Sequence, residues 1–82
     1  MEQKVMKRFV CVIAAHDIDG KTNPLSIIWE DGIRYEIEGI EERRRMASTR
    51  AGGIGMRYAV RVRGQRKYLY EDEGRWFVEA KC

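Results

Sequence analysis

Nine basic residues and no acidic one lie between Arg43 and Lys67: Arg43, Arg44, Arg45, Arg50, Arg57, Arg61, Arg63, Arg66 and Lys67. All but Lys67 are arginine, whose planar fork of donors suits bidentate contact with phosphate or carboxylate. The stretch just before them, Ile28 to Glu42, carries Glu30, Asp31, Glu36, Glu38, Glu41 and Glu42 against Arg34 alone. A chain of formal net charge +3 has therefore separated its charge into a +9 block and a −5 block. Separation of this kind bears on partners more than on fold.

Two readings follow. In the first, the basic block holds the phosphates of DNA or RNA. Arg57, Arg61 and Arg63 share one parity, so neighbours two residues apart on a strand stand about 6.5–7 Å apart, near the phosphate spacing of one nucleic-acid strand. Tyr68 and Tyr70 share the face of Arg66, and an exposed ring there, Tyr68 in particular, would stack on a base. In the second, the same arginines pair across strands with Glu36, Glu38, Glu41 and Glu42. Such pairs are worth only tenths of a kcal/mol each, yet they fix register. The blocks then serve contact with a second copy of the chain or with an acidic protein. The charge run supports both.

Other chemistry is thinly represented. Ser48-Thr49-Arg50-Ala51-Gly52-Gly53-Ile54-Gly55 offers bare backbone N–H groups of the sort that cradle phosphate. It lacks a Gly-Lys-Ser/Thr ending and leads into a strand, so a glycine bulge at a sheet corner explains it better. Asp17-Ile18-Asp19-Gly20 opens like a calcium loop but lacks the later oxygen ligand and the closing Glu, so it reads as a turn. Cys11, Cys82 and the single histidine, His16, cannot complete a four-ligand zinc site without carboxylates. No serine or cysteine has both a base and an orienting group, and Glu71-Asp72-Glu73 stand in a solvated turn without the burial that separates carboxylate pKa values. The expectation is a protein that is not an enzyme and holds no metal or cofactor.

The elements that must carry these residues are strands. Turn signals recur every ten to fifteen residues, and β-branched or aromatic alternation fills the gaps. A first strand spans Val5 to Ala15, either central or bending between two sheets, with Cys11 as a small buried hydrophobe in its apolar run. The segment 17–24 reads as a loop. Leu25 to Glu30 and Ile33 to Glu38 form a hairpin about a two-residue Asp31-Gly32 turn. Glu41 to Ser48 fits a strand or a single helical turn. In the next strand Met56, Tyr58, Val60 and Val62 face in, while Arg57, Ala59, Arg61 and Arg63 face out. Gly64-Gln65 turns into Arg66 to Tyr70, and Glu71 to Gly74 turns into Arg75 to Ala80. Glu30 to Glu38 echoes Glu71 to Glu79, which two hairpins meeting the same turn requirement explain without duplication.

These segments amount to one all-β domain over residues 1–82: a strongly bent antiparallel sheet or an SH3-like or OB-like barrel of about six strands. With 44% hydrophobic residues, two Trp, four Tyr and two Phe, 82 residues hold one small core and are not a disordered composition. No apolar run approaches the roughly 18 residues of a membrane helix. The opening segment lacks the pattern of a cleaved secretory signal, so a cytoplasmic protein without a membrane partner is expected.

Trp29 to Ile37, Ala47 to Tyr58 and Arg75 to Glu79 together resemble, over nearly the whole chain, a family of short uncharacterised proteins from Gram-positive bacteria. More distantly, the Trp…Gly…Arg-Tyr hairpin is similar to a small actinobacterial domain of unknown function whose genes tend to lie near those of Y-family-polymerase-like proteins. The resemblance supplies no activity, ligand or catalytic residue. It implies a link to nucleic-acid metabolism, such as DNA repair or replication.

Overall fold

The computed structural model describes residues 5–47 and 54–81. Within them lie seven strands: β1 Val5–His16, β2 Thr22–Ile28, β3 Arg34–Glu36, β4 Gly39–Ala47, β5 Ile54–Val62, β6 Gln65–Asp72 and β7 Arg75–Lys81. All pairings are antiparallel, in the order β3-β2-β1-β7-β6-β5-β4. The described residues form a strongly curled, all-β half-barrel, the bent antiparallel sheet of the two architectures expected and not a closed barrel. Its two edge strands, β3 and β4, are consecutive in sequence and joined only by Ile37 and Glu38. Ile37 N–H donates to Leu25 on β2 at 2.9 Å, and Glu38 N–H donates to Arg61 on β5 at 2.8 Å. One extended segment thus touches both ends of the sheet and draws them together.

β1 is both central and shared. Its first half, Val5 to Val10, pairs with β7, and its second half, Cys11 to His16, pairs with β2. The register shifts between Ile13 and Ala14, opposite Pro24. Proline lacks a donor and sits in a sheet only at an edge or an irregularity. This bulge is how Thr22-Asn23-Pro24 belongs to β2, where composition alone reads a loop. Cys11 is exposed, not buried, because it shares the outer parity of Phe9.

Inside the curl, Ile27, Tyr58, Val60, Val62 and Leu69 form the buried core, with Trp29, Tyr35, Ile37, Trp76 and Val78 packed against it. Outside, a second apolar cluster crosses three strands. Phe77 is 2% exposed although its neighbour Trp76 faces inward. The Phe9 ring meets it edge-on at 5.7 Å and the Tyr70 ring stacks on it at 5.2 Å. The Lys7 ammonium lies 5.0 Å from its centroid, and the Arg75 guanidinium lies 3.9 Å from that of Phe9. Aromatic pairs and cations over rings contribute beyond the area they bury.

The turns correct the sequence reading in detail. Trp29 and Ile33 close a three-residue loop, with Gly32 N–H donating to Trp29 at 2.8 Å and only Gly32 at positive φ. That is a type I turn with a glycine bulge, not a two-residue turn. Arg63-Gly64 (φ 50° and 74°) and Glu73-Gly74 (φ 52° and 79°) are the two-residue type I′ turns. The two hairpins that echo each other in sequence therefore use different turns. Arg63 leaves the face it was expected to share with Arg57 and Arg61. Segment 41–48 is strand as far as Ala47.

Candidate interaction surface

β4, β5 and β6 divide the basic block between two faces of the sheet. Residues opposite one another on paired strands share a face. Arg44 pairs with Arg57, and Arg61 pairs with Arg66, all on the outside. Arg43 and Arg45 lie opposite Tyr58 and Met56, on the inner parity. Lys67 lies opposite Val60 and also points inward. Arg63 sits in its turn with its guanidinium 4.7 Å from the Tyr35 ring centroid. Arg50 and most of the glycine-rich loop lie outside the described residues.

Most of these cations already have partners. Arg57 meets Glu42 at 3.1 Å, Arg61 meets Glu41 at 3.0 Å, and Arg66 meets the same Glu41 at 3.5 Å. Arg61 also donates to the Gly64 carbonyl at 2.8 Å, and Arg43 donates to Asn23. Consecutive carboxylates on a regular strand would point to opposite faces. The register shift between Ile40 and Glu42 inserts Glu41 as an extra residue, so both glutamates reach the outer face. There they separate two like-charged pairs, Arg44/Arg57 and Arg61/Arg66, whose direct opposition is unfavourable. Among the described residues, Arg44, Arg45 and Lys67 have no side-chain partner.

Tyr68 is the exposed tyrosine of this face, at 44%. The Arg57 and Arg66 guanidiniums lie 4.4 and 5.5 Å from its centroid. Beneath this layer Ala59 is 1% exposed. Arg57 is therefore a packed side chain as well as a charge.

Sequence reasoning missed a second feature. β6 and β7 pair only over Tyr70/Phe77, Glu71/Trp76 and Asp72/Arg75, then run on without pairing. The fork between them opens into a cavity of 580 Å³ whose lining combines the apolar Ile27, Trp29, Val62 and Val78 with the charged Lys67, Arg63 and Glu79. The Tyr70 hydroxyl donates to Glu79 at 3.0 Å across the fork. Burial and the Glu79 carboxylate raise the Tyr70 pKa above the ordinary tyrosine value. Tyr58, inside the curl, is raised by burial first and then by the Glu71 charge. The only sequence signal for the fork is the paired apolar content of β6 and β7, which does not reveal where pairing ends.

The Asp17 carboxylate accepts backbone N–H from Lys21 at 2.8 Å and Asp19 at 3.0 Å, and the Lys21 bond is the main cause holding its pKa below the usual range. That is turn chemistry. His16 Nδ1 lies 3.1 Å from the Thr22 hydroxyl, its cross-strand neighbour. No family model, no curated protein and no solved structure matches the chain.

Proposed function

We propose that this domain is a protein-interaction module for an acidic partner. The observation that carries the reading is the pairing of Arg57, Arg61 and Arg66 with Glu41 and Glu42 of the same sheet. Charges held this way set register and tie down the outer face. The cations without a side-chain partner are scattered, with Arg44 outside and Arg45 and Lys67 on the inner parity, and a polynucleotide backbone needs a continuous track. An acidic protein segment needs only one or two such contacts beside an apolar cleft, and the cleft between β6 and β7 supplies it.

The test is a titration of the isotope-labelled protein with poly-glutamate, followed by amide chemical shifts, beside light scattering over a wide concentration range. Shifts that saturate with poly-glutamate support the acidic partner. A mass that doubles with concentration, and reverts in Arg61→Glu/Arg63→Glu, makes the partner a second copy. The absence of both responses overturns the reading.

The second reading is nucleic-acid binding, favoured by the half-exposed Tyr68 between Arg57 and Arg66, with Arg44 beyond. It requires oligonucleotide to displace Glu41 and Glu42 from the arginines. Anisotropy of labelled single- and double-stranded oligonucleotides at several salt concentrations tests it. Binding with a log–log slope of about −0.7 per phosphate contacted on single strands, strengthened in Glu41→Gln/Glu42→Gln, would establish it over the first reading.

A further inference from the structure

The fork between β6 and β7 has the properties of a strand-acceptor site. Along Gln65–Leu69, β6 is paired on one side by β5 and on the other by no strand among the described residues. Along Val78–Lys81, β7 is paired, among the described residues, by β1 alone. Each strand is thus held extended by a neighbour while its other edge presents unmatched backbone groups, the template on which an incoming strand forms. The outer edges of β3 and β4, at the two ends of the sheet, also have no strand partner among the described residues; the fork differs from them in opening onto a cavity.

We propose that the fork receives an extended acidic segment of a partner protein, added as a strand along the Gln65–Leu69 edge of β6. This rests on the interaction-module reading and names the partner's chemistry and its mode of entry. An added strand sends alternate side chains to opposite faces. One set faces the 580 Å³ cavity lined by Ile27, Val62, Val78 and Lys67, which calls for apolar residues at those positions and a carboxylate at the one that meets Lys67. Charge decides the rest. Lys67 lines the cavity with no partner among the described residues, and Arg63 stands at the same cavity on the Tyr35 ring without a carboxylate. The one acid among the lining residues, Glu79, already accepts the Tyr70 hydroxyl. A carboxylate on the incoming segment meets Lys67 beside the apolar lining in a charge-assisted contact. A lysine in its place meets Lys67 and Arg63 and is rejected.

The experiment is a selection of a displayed random heptapeptide library on the intact protein and on Lys67→Glu, a substitution at an exposed position. Enriched peptides are then synthesised, and amide hydrogen exchange is measured with each bound. The expected result is peptides whose cavity-facing residues, at every second position, are apolar with an acidic residue among them. They slow exchange at least tenfold at the fork-facing amides of Gln65–Leu69, and Lys67→Glu shifts the enriched set toward basic residues. Enriched peptides that leave those amides unprotected overturn the fork and leave the interaction module standing. A set of unchanged charge on Lys67→Glu overturns the acidic specificity. Enrichment of no peptide at all, together with no response to poly-glutamate, overturns both.

Discussion

The Tyr70 hydroxyl reaches Glu79 Oε1 at 3.0 Å, and this bond links β6 to β7 beyond the point where their backbones stop pairing. Tyr70 is 7% exposed and its ring stacks on Phe77, so the hydroxyl is held in place by packing and not by the bond alone. Tyr70→Phe keeps the stack and removes the link. The expected cost is about 1–2 kcal/mol, between the net worth of a neutral hydrogen bond and that of one to an ionised acceptor. Exchange should also quicken at Val78 and Glu79 relative to Phe77. Denaturant unfolding and amide exchange measure the two effects.

The two raised tyrosines give the fold a weakness at high pH. For Tyr58 and Tyr70 the folded pKa lies above the unfolded value of about 10. Below that value both states are protonated and the full contribution is present. Above it the unfolded chain releases protons that the folded chain keeps, so stability falls as pH rises toward the folded pKa. The slope is at most about 1.4 kcal/mol per pH unit for each tyrosine. Urea midpoints between pH 8.5 and 11 should decline, and Tyr70→Phe should show a shallower decline.

Gly55 separates a required glycine from incidental ones. A Cβ there would lie 2.1 Å from the Glu71 carbonyl oxygen, which is backbone and cannot swing away. β5 and β6 must part at that point to admit it. Gly55→Ala is expected to cost roughly 1–3 kcal/mol, the range for forced overpacking. Gly39→Ala meets nothing within 4 Å and should lie within about 0.5 kcal/mol of the parent protein. Thermal or urea unfolding of the pair makes the comparison.

Leu69 tests whether the cavity depends on the core beside it. It is 0% exposed in the buried cluster and stands on β6 where the fork opens. Leu69→Ala removes core contacts next to an existing void, so the walls have less to collapse onto. The expected loss is about 3–5 kcal/mol, the upper part of the leucine range. Against a total stability of about 5–15 kcal/mol for a domain, that is close to unfolding. Leu69→Met should lose less than about 1.5 kcal/mol.

Alternation revealed the β class, most strand positions and the inward set Tyr58, Val60 and Val62, because a period of two is written directly in residue type. It did not reveal departures from that period. The bulge at Glu41 turns two adjacent glutamates to one face, and the bulge opposite Pro24 makes strand of a loop-like segment. The ion pairs were legible as one of two alternatives, since like and unlike charges were counted but not registered. The outer Phe9–Phe77–Tyr70 cluster and the β6/β7 fork arise between strands that are neighbours only in space. No local pattern encodes where a ladder ends.

Arg57 and Arg61 differ in what they would cost to remove, and the difference tests the structural account of the basic block. The Arg57 side chain is 18% exposed, bound to Glu42, and packed over the Tyr68 ring. Arg61 is 45% exposed, and its partner Glu41 also meets Arg66. Removing Arg61 therefore leaves Glu41 a second cation in a solvated setting, where an ion pair is worth about 0–1 kcal/mol. Removing Arg57 strips packing from the aromatic ring and its stem from the sheet face. Arg57→Ala is expected to destabilise by about 1–3 kcal/mol and Arg61→Ala by less than about 1 kcal/mol. Arg57→Met, which keeps the stem without the charge, should recover part of the loss. If Arg57→Ala is as mild as Arg61→Ala in urea unfolding, the outer-face arginines are not structural, and the case for a polyanion on that face gains what the ion pairs lose.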